Sequence, residues 1–323
     1  MKSTGKSILK KLRAYDNSEM TLLLALLLIG TVFTILSPYF LSIKNFLNIG
    51  IYSAIIGITA TTTTLALIQG CIDISVGSIM ALTGMVCAIL LKAGLPMFVA
   101  IFLAFFLGLA CGAFNGLMVS KAKINPLITT LSTMTIFRGI AYLSNNGISI
   151  VINNNDFKWM GRGYIGPIPF TIILMLIAYI VMWYIAKYTA FGRKIYATGS
   201  NSRASYLSGI NVSKMIWVVY ILNGMMAGIS GILMAAQSGA GLPIAGEGYE
   251  MTIISACILG GTSLSGGKGS IWGTFIGVIM LTTIANGLTM LAVPTFWQHI
   301  IKGVILLLSV LIDSIRSGAL KKV

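Results

Sequence analysis

The stretch Gly260–Ser270, GGTSLSGGKGS, is where this sequence comes nearest to phosphate chemistry. A phosphate loop, G-x-x-x-x-G-K-[ST], needs an early glycine so that backbone N–H groups can cradle phosphate, and a hydroxyl after the lysine to reach Mg²⁺. Thr262 stands in the first place and Gly269 in the second, so these glycines read as a tight turn and not a nucleotide site. Other catalytic sets are missing as well. His299 is the single histidine, no HExxH or GxSxG occurs, and no carboxylates pair at a fixed spacing. Cys71, Cys87, Cys111 and Cys257 lie scattered in apolar segments without CxxC spacing, which reads as small buried hydrophobes and not as metal ligands or disulfides. Neither enzymatic activity, nor a metal, nor a cofactor bound by this chain is expected.

The chemistry that remains lies in a few polar residues embedded in apolar sequence. Asp73, within Gly70–Ser78 (GCIDISVGS), separates two apolar runs that would otherwise merge. An ionisable group there is costly unless it faces water, a partner or the membrane surface. Two readings stay open: a broken helix lining a pathway with Thr61–Thr64 and Gln69 nearby, or a tight cytoplasmic turn in which Asp73 caps the next helix. Arg138 reads as a structural tie or a substrate contact. Glu247 and Glu250, at a helix start on the outer side, read as contacts to substrate or a docking partner, or as acids favoured by the helix dipole. Gly108, Gly112 and Gly116 recur every fourth residue, so they share one helix face and let another backbone approach.

Those residues need elements to hold them. Of the 323 residues 57% are hydrophobic and 9% charged, against about 25% charged in a soluble domain. Repeated apolar runs of roughly 18–25 residues demand an all-α polytopic membrane protein. Ten spans are expected, near 20–38, 47–69, 76–92, 97–119, 126–143, 168–186, 216–236, 250–265, 271–292 and 298–313, in two inversely oriented halves of five. Residues 1–19 read as a cytoplasmic amphipathic segment, with Ile8, Leu9, Leu12 and Tyr15 on one face. Residues 20–313 read as one transmembrane domain, and 314–323 as a cytoplasmic tail. With both termini inside, sixteen Lys and Arg fall on the inner side and four on the outer, the bias of a chain oriented that way. The net charge of +15 therefore reflects membrane orientation and not nucleic-acid binding.

The longest polar, basic interruption is Gly192–Lys214, GRKIYATGSNSRASYLSGINVSK, within a cytoplasmic loop of about 187–215. This stretch and three others carry a family resemblance. Gly70–Gly84 resembles the GIDLSVGS segment of permease subunits of ribose-type ABC importers, in the superfamily that also holds branched-chain amino-acid permeases. Asn125–Leu143 resembles that family's fifth-segment motif, Ile195–Lys214 its cytoplasmic loop, and Gly248–Gly277 its most recognisable stretch. The likeness runs from about residue 20 to 313. It differs at Cys71–Ile72, where Gly–Ile is frequent, and at Ser202–Arg203, where the loop usually carries an acid near its start.

The resemblance implies a multi-pass subunit of the bacterial cytoplasmic (inner) membrane that dimerises with itself or a related second permease and translocates a monosaccharide such as ribose. A periplasmic or lipid-anchored sugar-binding protein would deliver the sugar. Separate ABC ATPase subunits would hold ATP and Mg²⁺. Coupling to them would fall to Asn201, Ser202, Arg203, Ala204, Ser205, Leu207, Ser208 and Gly209, with Gly209 ending the helix. A sugar path needs hydroxyl and amide partners without net charge, for which Thr61, Thr64, Gln69, Asn115, Asn223 and Asn286 are candidates beside Asp73. The alternatives are a one-component secondary transporter with Asp73 or Glu250 carrying a coupling proton, or the same superfamily with a nucleoside or amino-acid substrate.

Overall fold

The computed structural model describes residues 18–316; the amphipathic segment expected over residues 1–19 and the end of the tail lie largely outside them. Among the described residues, helices fall on all ten expected stretches: α1 Ser18–Leu36, α2 Ile43–Ile68, α3 Val76–Lys92, α4 Met97–Ser120, α5 Pro126–Leu143, α7 Phe170–Tyr188, α10 Val212–Ser238, α11 Tyr249–Leu259, α12 Ile271–Met290 and α13 Thr295–Arg316. Six of them (α1, α2, α4, α7, α10, α12) are long and apolar enough to cross a membrane. The chain is an all-α polytopic membrane protein.

Short elements fill the connections. The 144–167 loop folds into β1 (Ile150–Val151), α6 (Asn155–Arg162) and β2 (Tyr164–Ile165), which pairs with β3 (Ile168–Pro169). The polar stretch around 187–215 folds into α8 (Ala190–Ser200) and α9 (Ser202–Leu207). β4 (Ala240–Gly241) follows α10 and pairs antiparallel with β1.

α2 and α10 form the centre. α2 is buried throughout residues 53–68, whereas α1 buries only Phe33 among its described side chains, as a helix facing lipid would. α10 packs along α4 through glycine: a Cβ on Gly108 would lie 2.8 Å from the Gly224 carbonyl oxygen and 2.9 Å from the Gly228 Cα. In lipid, where apolar burial between helices adds little, such backbone-to-backbone approach is a main source of association.

Two helices are interrupted. α2 ends at Gln69, Gly70 turns the chain at φ +77°, and residues 71–75 run back into the interior before α3 begins. On the other side, the chain leaving β4 turns at Gly246 (φ +67°) and Gly248 (φ +76°) before α11 begins. Only glycine takes these conformations without strain. The two helix starts meet: Gly77 in the first turn of α3 packs on the Gly246 carbonyl and the Glu250 carboxylate. One expectation needs correction. The span expected over 250–265 is a helix of 11 residues, too short to cross alone. It stops where Gly261 takes φ +90°, with the Gly261 N–H donating to the Ile258 carbonyl at 2.9 Å and the Thr262 N–H to the Cys257 carbonyl at 3.0 Å.

Candidate functional site

Asp73 sits at the first break, fully buried. Its Oδ1 accepts from the Ser75 backbone N–H (2.9 Å) and hydroxyl (2.7 Å), which fixes the entry into α3; its Oδ2 accepts from Asn223 Nδ2 on α10 at 2.9 Å. Asn223 Oδ1 in turn accepts from the Thr62 and Thr63 hydroxyls of α2, at 3.0 and 2.9 Å. Asn115 of α4 donates to Ser75 Oγ at 2.8 Å, and the Tyr220 hydroxyl donates to the Ile72 carbonyl at 3.1 Å. One carboxylate thus ties α2, α3, α4 and α10 through neutral donors. Such networks are strong in a low-dielectric interior when every member is satisfied. The Asn115 Oδ1, buried and without a partner, is the loose end.

The other candidates for a sugar path separate into three places. Thr61 and Thr64 are fully buried: Thr61 bonds its own helix at the Ile58 carbonyl (2.7 Å), and Thr64 lies 2.8 Å from the Thr274 hydroxyl of α12. Gln69, at the end of α2, donates to Thr198 of α8 at 3.3 Å. Asn286 is apart from all of these. It borders a cavity of about 600 Å³ between α2, α11, α12 and α13, shared with Tyr52, Thr252, Ser255, Gln298 and Lys302, and its Oδ1 is buried without a partner. The structure thus brings together Asp73, Asn115 and Asn223 as interior ties and leaves Asn286 at the border of a cavity.

At the second break Arg138 of α5 donates through Nη1 to the Pro243 and Ala245 carbonyls, at 2.8 and 2.6 Å. These are orphan acceptors of an irregular segment that runs between helices, and the guanidinium satisfies them. Glu247 is exposed, whereas Glu250 is buried; its Oε1 accepts from the Gly248 N–H at 3.2 Å and its Oε2 has no hydrogen-bond partner. The contacts Glu250 makes are internal, so of the pair only Glu247 presents a surface to a partner.

The end of the molecule that carries α9 is built in layers. The Gly267 N–H donates to the Ile68 carbonyl at 2.7 Å, so the 260–270 turn packs on the end of α2. Gly199 of α8 fits against that same carbonyl and the Gly267 nitrogen. The Tyr196 hydroxyl donates to the Gly269 carbonyl at 2.9 Å, and burial pushes that phenol above its ordinary pKa. On this base α9 projects outward. Asn201 caps it, its Oδ1 accepting from the Ala204 N–H at 2.9 Å. Gly209, at φ +82°, closes it: the Gly209 N–H donates to Tyr206 and the Ile210 N–H to Ser205, both at 3.0 Å, the paired bonds of a Schellman motif. Ser205 is buried, while Asn201, Ser202, Arg203, Ala204, Ser208 and Gly209 are exposed. Tyr206 and Leu207 are 70% and 78% exposed. Sequence reasoning missed Tyr206, although an aromatic beside a leucine in a polar stretch was the available signal. It placed Thr61–Thr64 near Asp73 without joining Thr62 and Thr63 to Asn223, which lies 161 and 160 residues away in sequence, and it missed Ser75, which bonds Asp73 two residues before it and Asn115 40 residues on.

Comparison with known proteins bears on what this arrangement serves. Residues 45–310 match a family described as the branched-chain amino acid transport system / permease component. The chain is 40% identical to the ribose import permease protein RbsC of Bacillus subtilis (strain 168), over 91% of this chain and 92% of that one. It is likewise 40% identical to RbsC of Escherichia coli (strain K12), over 92% and 94%, and 38% identical to the D-allose transport system permease protein AlsC of the same strain, over 90% of each. No solved structure matches it.

Proposed function

The chain belongs to the branched-chain amino acid transport system / permease component family, and from that premise we propose that it is the membrane subunit of an ABC importer carrying a ribose-like monosaccharide across the bacterial cytoplasmic membrane. It is a transport subunit and not an enzyme; ATP and Mg²⁺ act on separate ATPase subunits. What carries the reading is the near end-to-end similarity to ribose import permeases. The exposed α9 gives that similarity a mechanism, since a chain driven by a partner needs a rigid contact for it.

In this reading the chain passes through the membrane ten times with both termini in the cytoplasm, α11 making its passage together with the irregular segments on either side of it. The halves α1–α5 and α7 with α10–α13 are inversely oriented, and α3 and α11 are their corresponding interrupted helices. α9 and the 260–270 turn face the cytoplasm, and β1, β4 and α6 face outward, where Glu247 is available to a sugar-binding protein. Two such subunits form the transporter. ATPase closure pushes on α9, and α8 passes the movement to the end of α2 and to the 260–270 turn, rocking the helices that frame the path. The sugar meets uncharged amides and hydroxyls, of which Asn286 is this chain's best-placed example.

The test is co-purification with the partner ATPase. Leu207→Asp is expected to remain in the membrane and to lose the ATPase; retention of the ATPase by that variant contradicts the placement of the contact. Calorimetry on the partner binding protein with ribose, allose and arabinose then identifies the sugar.

A further inference from the structure

A second groove, of about 590 Å³, lies where the start of α1, the end of α7, α8 and the start of α12 converge. Its basic residues are Lys187 and Arg193, and its rings are Trp183, Tyr196 and Trp272. The Lys187 Nζ stands 5.4 Å from the ring centroids of both Trp183 and Tyr188, and Arg193 Nη1 donates to the Tyr188 carbonyl at 3.4 Å. Among the described residues neither cation forms an ion pair. The acid in the groove, Glu19, accepts through Oε1 from the hydroxyl of Ser270, another lining residue, at 2.6 Å and forms no ion pair with either cation.

From this arrangement we propose that the groove binds the headgroup of an anionic phospholipid. Its position is that of a membrane boundary, because three spans begin or end there and tryptophan and tyrosine gather at such interfaces. Two cations beside rings, without an ion pair among the described residues, recognise a phosphodiester with net negative charge, as basic pockets between helices do on the cytoplasmic side. The exposed Ile177, Ile180, Val181 and Tyr184 of α7 lead away from the cations along the span and give acyl chains a surface, which a free phosphate does not use. The site also borders Tyr196, whose hydroxyl joins α8 to the 260–270 turn. The inference rests on the membrane reading of the chain, and on neither its sugar nor its ATPase.

Native mass spectrometry of the full chain in neutral detergent tests it, with phosphatidylglycerol against phosphatidylcholine of the same acyl chains. Each cation is expected to contribute on the order of a fivefold preference, so the wild-type chain should retain phosphatidylglycerol more than tenfold better. Lys187→Gln with Arg193→Gln should abolish the preference, and each single variant should fall between. Lys121→Gln with Lys123→Gln removes the same charge from other exposed positions and should leave it intact. Equal retention of both lipids, loss in the Lys121/Lys123 control as large as in the Lys187/Arg193 pair, or full displacement by equimolar inorganic phosphate would each overturn the proposal.

Discussion

Asp73 is a carboxylate held by neutral donors, and its partners predict how it behaves on substitution. Asn223→Leu removes the donor to Asp73 Oδ2 and leaves the Thr62 and Thr63 hydroxyls only the Thr59 carbonyl of their own helix. Leaving a buried carboxylate short of a donor costs about 3 kcal/mol, so the thermal midpoint in detergent should fall by several degrees. Thr61→Ala removes only a bond within its own turn and should cost less than about 1 kcal/mol. An equal drop for the two would remove the distinction between the interhelix network and a local bond. The sequence made Asp73 legible as anomalous, since a charge between two apolar runs stands out. It gave no sign of Asn223 as partner, 150 residues on, because an asparagine in an apolar run reads equally as a lining residue.

At the scale of elements, two contrasts are testable. A methyl group on Gly112 would meet the Tyr220 carbonyl and lie 3.0 Å from the Gly224 Cα, while Gly139 has nothing within 4 Å. Gly112→Ala is therefore expected to destabilise by about 1–3 kcal/mol through forced separation of α4 and α10, and Gly139→Ala to be neutral or slightly stabilising through helix propensity; thermal unfolding of the purified variants reads both. The second contrast concerns α9. Gly209→Pro imposes φ near −65° where the chain needs +82° and deletes the N–H donated to Tyr206. It should insert normally yet lose ATPase association in pull-down, and an unaffected pull-down counts against α9 as the contact. The period of four in Gly108, Gly112 and Gly116 made the packing face readable from sequence alone. α8 was not readable, because its stretch carries no long apolar run; the early end of α11 was signalled by Gly260 and Gly261, the second of which takes φ +90° and closes the helix.

For the whole molecule, the apolar runs made the class and most helix positions legible. Hydropathy does not show that α3 and α11 start against each other, since both lie in apolar sequence and only their glycine turns bring them together. The proposed orientation predicts labelling: a cysteine at exposed Ser202 should react with impermeant thiol reagents only from the cytoplasmic side, and one at exposed Asn153 only from outside, the four native cysteines being buried. The opposite pattern inverts the topology. In the proposed function a separate ATPase, pushing on α9, drives the movement of sugar. The most direct test of that function is uptake of labelled ribose into proteoliposomes holding this chain, its ATPase and its binding protein. Uptake is expected to need enclosed ATP, to persist with a proton ionophore and to vanish with Leu207→Asp; uptake by this chain alone that collapses with the ionophore would overturn the proposed function.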